Sequence, residues 1–251
     1  VAVDTGNRHS CALLDNQSIV CWGRNDNGQL GDGTTKSSNV PVVVSGISNA
    51  IKIGLGSYHT CAVLDNKSVR CWGRNNYGQL GNGKKTSAQD NTSIPATLVE
   101  TQDIKDVDAK GSSTCAVLDN KSVQCWGRNE YGQLGNGITG GSNSIPVIVS
   151  GTSNATKITN GYRHACAILD NKSVQCWGRN NQGQLGDGTF VDRNVPTVVT
   201  GVKNVVEIAP GYRHTCALLD NDTVQCWGQN NQGQLGDGTT NSRTTPAEVQ
   251  F

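Results

Sequence analysis

The chain has 251 residues, of which 31 are Gly, two are Phe and none is Met, and hydrophobic residues make up 35%. That balance excludes a helical protein around one deep core and points to many turns and short strands. The formal net charge is +1, with acidic and basic residues interspersed. This lacks the basic footprint of a nucleic-acid binder. No apolar run reaches the roughly 18 residues that cross a bilayer as a helix.

One block recurs along the chain. CALLDNQSIVCWGRNDNGQLGDGTT begins at Cys11, and close copies begin at Cys61, Cys115, Cys166 and Cys216. Self-similarity at about fifty residues signals a repeat architecture. The five repeats span approximately 1–50, 51–104, 105–155, 156–205 and 206–251 of a single domain. Their length differences fall between the last Gly of G-Q-L-G and the Pro near the repeat end. That segment is longest from Gly81 to Pro95, so it reads as a surface loop.

Within a repeat, the first element is a brief alternating strand such as Ile51-Lys52-Ile53 or Val206-Glu207-Ile208. Two variable residues and a His follow. The variable pairs are Asn7-Arg8, Ser57-Tyr58, Gly111-Ser112, Tyr162-Arg163 and Tyr212-Arg213. Aromatic and Arg side chains that change while the frame stays fixed have the character of contact residues. The candidate ligand-binding residues are therefore Arg8, Tyr58, Tyr162, Arg163, Tyr212 and Arg213; an ordinary solvated loop is the alternative. His9, His59, His164 and His214 recur, with Ser113 in the third copy. A His hydrogen-bonded to backbone inside its own blade is expected, and no metal.

The second and third strands, His59 to Leu64 and Ser68 to Trp72 in the second repeat, form a hairpin around Asp-Asn-x. A three-residue loop at Asp15-Asn16-Gln17 sets Cys11 opposite Cys21, within disulfide reach. The ten cysteines then pair as Cys11–Cys21, Cys61–Cys71, Cys115–Cys125, Cys166–Cys176 and Cys216–Cys226. Zinc knuckles would need closer spacings. A three-residue hairpin puts its last loop residue in the left-handed region, here Gln17, Lys67, Lys121, Lys172 and Asp222. Asn16, Asn66, Asn120, Asn171 and Asn221 stand in Asn-x-Ser/Thr sequons at these tips, and Asn91 and Asn154 add two more.

Each second cysteine precedes a Trp (Trp22, Trp72, Trp126, Trp177, Trp227), expected to pack between neighbouring blades rather than to stack on ligand. N-x-x-G-Q-L-G-[DN]-G follows, with a Leu to plug the core (Leu30, Leu80, Leu134, Leu185, Leu235). A phosphate loop would require a helix after it, and calcium is disfavoured because Asn82 and Asn136 replace the carboxylate. The fourth strand is expected to follow the Pro, as Pro196-Thr197-Val198-Val199. Four short strands, repeated, make an all-β propeller of four-stranded blades, with five blades closing within one chain.

The blocks H-[TSA]-C-A-[LVI]-L-D-N, C-W-G-[RQ]-N and N-x-x-G-Q-L-G-[DN]-G-T resemble the regulator of chromosome condensation repeat family over essentially the whole chain. The resemblance implies a β-propeller, usually of seven blades. Its functions are diverse: nucleotide exchange on a nuclear small GTPase, ultraviolet sensing in plants, inhibition of β-lactamases. Five disulfides fit the nuclear role poorly. The plant photoreceptor reads light through clustered Trp in a G-W-R-H context. Gly161-Tyr162-Arg163-His164 and Gly211-Tyr212-Arg213-His214 have Tyr instead, which argues against photoreception. The cysteine-paired form is similar to extracellular members.

No nucleophile-and-base arrangement is visible, so the expected function is non-enzymatic, with no cofactor. The leading reading is a secreted, lectin-like protein binding an extracellular glycan multivalently. The alternative is a protein-binding module or inhibitor acting through one face, with the unique Lys84–Ile94 loop breaking the symmetry. Neither nucleic acid nor membrane insertion is expected.

Overall fold

The computed structural model describes residues 1–86, 92–98 and 103–251. The described residues form twenty strands and no helix. They group into five four-stranded antiparallel sheets. The first holds β1 (Ala2–Thr5), β2 (His9–Leu13), β3 (Ile19–Gly23) and β4 (Ser38–Val43) in that order. The other four repeat it: β5 (Ala50–Leu55) to β8 (Thr92–Thr97), β9 (Ile104–Lys110) to β12 (Ser142–Ile148), β13 (Ala155–Asn160) to β16 (Arg193–Val198), and β17 (Val205–Pro210) to β20 (Arg243–Glu248). The chain divides into two compact units. One comprises Val1–Asp119, Gln124–Arg128 and Gly141–Val147; the other comprises Asn120–Val123, Asn129–Gly140 and Ile148–Phe251.

The central hairpin has the register expected from its loop. Cys11 faces Cys21, Ala12 faces Val20 and Leu13 faces Ile19. All five disulfides are formed, each with a Cα separation of 4.1 Å. The last loop residue is left-handed in every copy, with φ from 59° at Lys172 to 64° at Asp222. All three Lys residues at this position face the turn Asp of the next repeat: Lys67 with Asp119, Lys121 with Asp170, and Lys172 with Asp220. That contact gives Lys a use where Gly would cost less backbone strain. Asn16 Oδ1 accepts from both Ser18 N and Ser18 Oγ, so the sequon pattern at the tips also builds the turn.

The fourth strand begins earlier than the sequence suggested. β16 starts at Arg193, three residues ahead of Pro196, and Pro41, Pro95, Pro146 and Pro246 likewise lie inside their strands. The strand pairs on one side only, so an edge position tolerates the missing N–H. The loop expected to break the symmetry, Lys84–Ile94, and the sequon at Asn91 fall partly or wholly outside the described residues.

Sheets pack through the Trp residues. Trp72, Trp126, Trp177 and Trp227 are completely buried. Each donates its indole N–H to the G-Q-L-G glutamine carbonyl of the preceding repeat: Gln29, Gln79, Gln133 and Gln184, at 2.9–3.1 Å. The indole thus loses its water without losing a partner. Trp22 is half-buried. The Leu of the same motif is fully buried in all five copies. Its N–H is held by the motif's Asn, as Leu30 N by Asn25 Oδ1 at 2.9 Å.

Candidate binding site

The variable pair before each His lies at one end of the hairpin, and backbone geometry brings a second set of side chains beside it. The Gly of C-W-G has φ between 101° and 107° in all five copies. A Cβ on Gly178 would stand 2.7 Å from the Arg163 carbonyl oxygen, so only glycine allows the approach. The chain then turns so that the next residue donates its backbone N–H to the residue before the His. Arg24 bonds to Arg8, Arg74 to Tyr58, Arg128 to Ser112, Arg179 to Arg163 and Gln229 to Arg213, at 2.8–3.0 Å. The arginines after C-W-G therefore share this end with the residues selected from sequence. Sequence reasoning passed over them because their recurrence looked like part of the frame.

In the first unit, Tyr58 is half-buried and lies near two guanidinium groups. Arg24 stands 5.9 Å and Arg74 5.6 Å from its ring centre. Asn7 Nδ2 donates to the Tyr58 hydroxyl at 3.3 Å. Arg24 is also ion-paired with Asp26, and that contact holds the Asp26 carboxyl below its usual range. Arg8 is exposed. Arg128 lies 4.9 Å from the Tyr77 ring.

The second unit joins four of the selected residues into a continuous run. Tyr162 and Tyr212 stack with ring centres 4.3 Å apart. Arg213 lies 5.4 Å from the Tyr212 ring, and Arg163 lies 5.6 Å from Tyr162. Arg163 also stands 5.0 Å from Tyr131 and donates from Nη1 to its hydroxyl at 2.9 Å. Arg179 covers the same Tyr131 ring at 4.6 Å. The order is Arg179, Tyr131, Arg163, Tyr162, Tyr212, Arg213. Contacts between guanidinium and ring faces are worth about 0.5–2 kcal/mol each, and here they hold planar groups in fixed positions.

The histidines correct one expectation. Their partners are side chains of the next repeat rather than backbone of their own blade. His9 Nε2 meets Thr60 Oγ1 at 3.0 Å, His59 meets Thr114 at 2.9 Å and His164 meets Thr215 at 3.0 Å. Each of these threonines spends its own proton on a glutamine carbonyl: Gln29, Gln79 and Gln184. The hydroxyl must therefore accept from Nε2–H, which assigns the tautomer. Nδ1 is buried without a hydrogen bond in His9, His59 and His164. Burial lowers the imidazole pKa to about 4 in His9 and about 3 in His59 and His164, the two deeper rings feeling their neighbours His9 and His214 as well. These rings are neutral tie points between sheets.

The carboxylates of the G-[DN]-G turn are likewise structural. Asp187 Oδ1 accepts from Asn180 Nδ2, Thr189 N and Thr189 Oγ1, and Oδ2 accepts from Arg193 Nε. Asn82 and Asn136 accept the corresponding Asn donor in repeats two and three, so the position needs an acceptor oxygen and not a charge. Among the described residues, no group of three or more His, Cys, Asp or Glu is arranged to hold a metal.

Residues 1–251 match the RCC1-like domain. The chain belongs to the RCC1-like domain family. This RCC1-like domain is 32% identical over 192 residues to the ultraviolet-B receptor UVR8 of Arabidopsis thaliana, covering 75% of this chain and 43% of the receptor. It is 39% identical over 188 residues to the probable E3 ubiquitin-protein ligase HERC4 of Rattus norvegicus, covering 73% of this chain and 18% of that protein. Its fold matches the crystal structure of Prp20p from Saccharomyces cerevisiae with a TM-score of 0.89 at 21% identity, across 100% of this chain and 63% of that one. The chain thus spans less than half of these curated relatives. The five four-stranded sheets are those of the RCC1 β-propeller.

Proposed function

We propose that this RCC1-like domain is a non-catalytic recognition module of an oxidising, extracellular compartment, and that it binds a protein partner through the Tyr- and Arg-bearing loops before each His. One observation carries the reading: equivalent positions in a constant frame hold unlike side chains that assemble into unlike clusters. Tyr58 sits near Arg24 and Arg74, Ser112 offers no such group, and Tyr162 stacks on Tyr212. Packing does not require these differences, because the Cys, Trp and Leu around them are the same in every copy. A multivalent lectin would instead gain by repeating one site. Prp20p of Saccharomyces cerevisiae has binding properties toward Gsp1p and histones, which supports protein recognition by such a frame. All ten cysteines are in disulfides, and such bonds persist in oxidising compartments.

The glycan reading keeps one specific support, the exposed ring of Tyr212, at 52%. Parallel screens of the purified chain against a glycan array and a displayed peptide library separate the two. The protein-binding reading expects peptide ligands whose affinity falls about tenfold or more in Tyr162→Ala/Tyr212→Ala, a loss typical of interface hot spots, while the disulfides and folded state persist. Glycan ligands alone, or peptides indifferent to the double variant, would refute it.

A further inference from the structure

We infer that the run Arg179–Tyr131–Arg163–Tyr162–Tyr212–Arg213 is a site for a carboxylate-rich peptide segment. The inference rests on the protein-binding reading and adds the chemistry of the partner. Its first support is charge. The loops that supply these six residues hold three guanidinium groups beside three carboxylates, Glu130, Asp187 and Asp192, and two of the carboxylates are already engaged, Asp187 by Arg193 Nε and Asp192 by the Asn180 backbone N–H. Elsewhere in the unit, arginines at the same depth are spoken for: Arg193 pairs with Asp187 at 2.8 Å and Arg243 with Asp237 at 2.7 Å. Among the described residues, Arg163, Arg179 and Arg213 have no ion pair.

The second support is the state of their donors. A guanidinium carries five N–H groups. Arg163 uses one, on the Tyr131 hydroxyl; the Nε of Arg163 and of Arg213 is buried, which leaves the terminal nitrogens as the donors for a ligand. The tyrosine faces hold these groups in place but accept little hydrogen bonding. A planar carboxylate is the acceptor that a guanidinium fork matches, and charge-assisted bonds of this kind are roughly twice as strong as neutral ones.

The third support is shape. With Tyr162 and Tyr212 stacked at 4.3 Å, no sugar ring enters between them. The run instead places cationic groups on both sides of aromatic surface along its length. That arrangement suits a peptide that sets acidic side chains beside apolar ones better than a uniformly sulfated polysaccharide.

The test uses the full chain and defined probes at low salt: fluorescein-labelled oligoglutamate, oligolysine and Gly-Ser peptides, and a heparin oligosaccharide. The inference expects oligoglutamate to bind in preference to the others. Arg163→Gln/Arg179→Gln/Arg213→Gln should weaken it by about tenfold or more. Arg70→Gln, an arginine of the other unit bonded to the Gly46 carbonyl, should leave it unchanged. If the triple variant does not fold, Arg179→Gln carries the same comparison, because among the described residues its guanidinium makes only the ring contact with Tyr131. Equal binding of Gly-Ser and glutamate peptides, equal loss with Arg70→Gln, or preference for heparin would overturn the inference. Library peptides that depend on Tyr162 and Tyr212 but carry no acidic residues would overturn it while leaving the protein-binding reading intact.

Discussion

The second and third repeats differ at two linked positions, and the difference shows what the frame spends its residues on. The second has Gly56 and His59; the third has Lys110 and Ser113 in their places. In the second, the His59 ring lies directly over Gly56. A Cβ there would stand 2.0 Å from the ring's Cε1 and 2.2 Å from Nδ1. Gly6, Gly161 and Gly211 lie against His9, His164 and His214 in the same way. None of these glycines is held in the left-handed region, so the constraint is space rather than backbone conformation. Where the ring is absent, at Ser113, a full Lys side chain is admitted. The Gly is therefore a property of the His.

Breaking that pairing should give the largest effect. Gly56→Ala forces a methyl into a ring that is completely buried and tied to Thr114. Overpacking of a tight site costs about 1–3 kcal/mol, and the upper part of that range is expected here. In a His59→Ser background the same Ala should cost almost nothing more. Chemical denaturation of the two single variants and the double variant measures the coupling. Additive losses would show that Gly56 is needed for something other than the ring.

This coupling also marks how far the sequence could be read. The hairpin register, the left-handed residue at its tip and the disulfide partners lie within one repeat, and short-range geometry suffices to derive them. The packed Trp could be assigned because it never varies. The partner of each His could not, since Thr60 and Thr114 belong to the following repeat and nothing in one copy points to them. The same limit hid the Arg and Tyr cluster. Tyr131 reaches Arg163 and Arg179 of the next repeat, and a one-repeat reading shows Tyr131 only as a variable loop residue. The Pro of the fourth strand misled for a simpler reason: a strand with one free edge does not need its N–H there.

An intermediate effect is expected from acid. His9, His59 and His164 are neutral when folded, with pKa lowered to about 4, 3 and 3. Unfolded, they titrate near 6.5. Between these values the unfolded chain binds protons that the folded chain refuses, so stability falls as pH drops below about 6.5. The loss per buried ring approaches about 1.4 kcal/mol per pH unit within that window. The physical cause is visible at Nδ1, which faces glycine with no acceptor for a second proton. Denaturation midpoints at pH 7, 5.5 and 4.5, taken as round values across the window, should fall steadily. His59→Ser should reduce the slope by the share of one ring. A flat profile would mean that the rings find acceptors on protonation.

The smallest effect belongs to the third repeat. Lys110→Ala leaves a Cβ where the Gly56 counterpart cannot have one, and Ser113 has no ring for it to strike. Lys110 is half-buried, so little packing is lost. Its remaining contribution is electrostatic and reaches Asp4. Burial raises the Asp4 carboxyl, while hydrogen bonds from Thr5 and Leu55 and the charges of Lys110 and Lys52 pull it back down. Removing one of two distant cations leaves the hydrogen bonds in place, including Leu55 N to Asp4 Oδ2 at 2.7 Å. The expected change in stability at neutral pH is within about 0.5 kcal/mol, as for ordinary surface substitutions. A loss near 2 kcal/mol, matching Gly56→Ala, would show that position 110 is constrained by something besides the imidazole and that the two repeats differ for an unrelated reason.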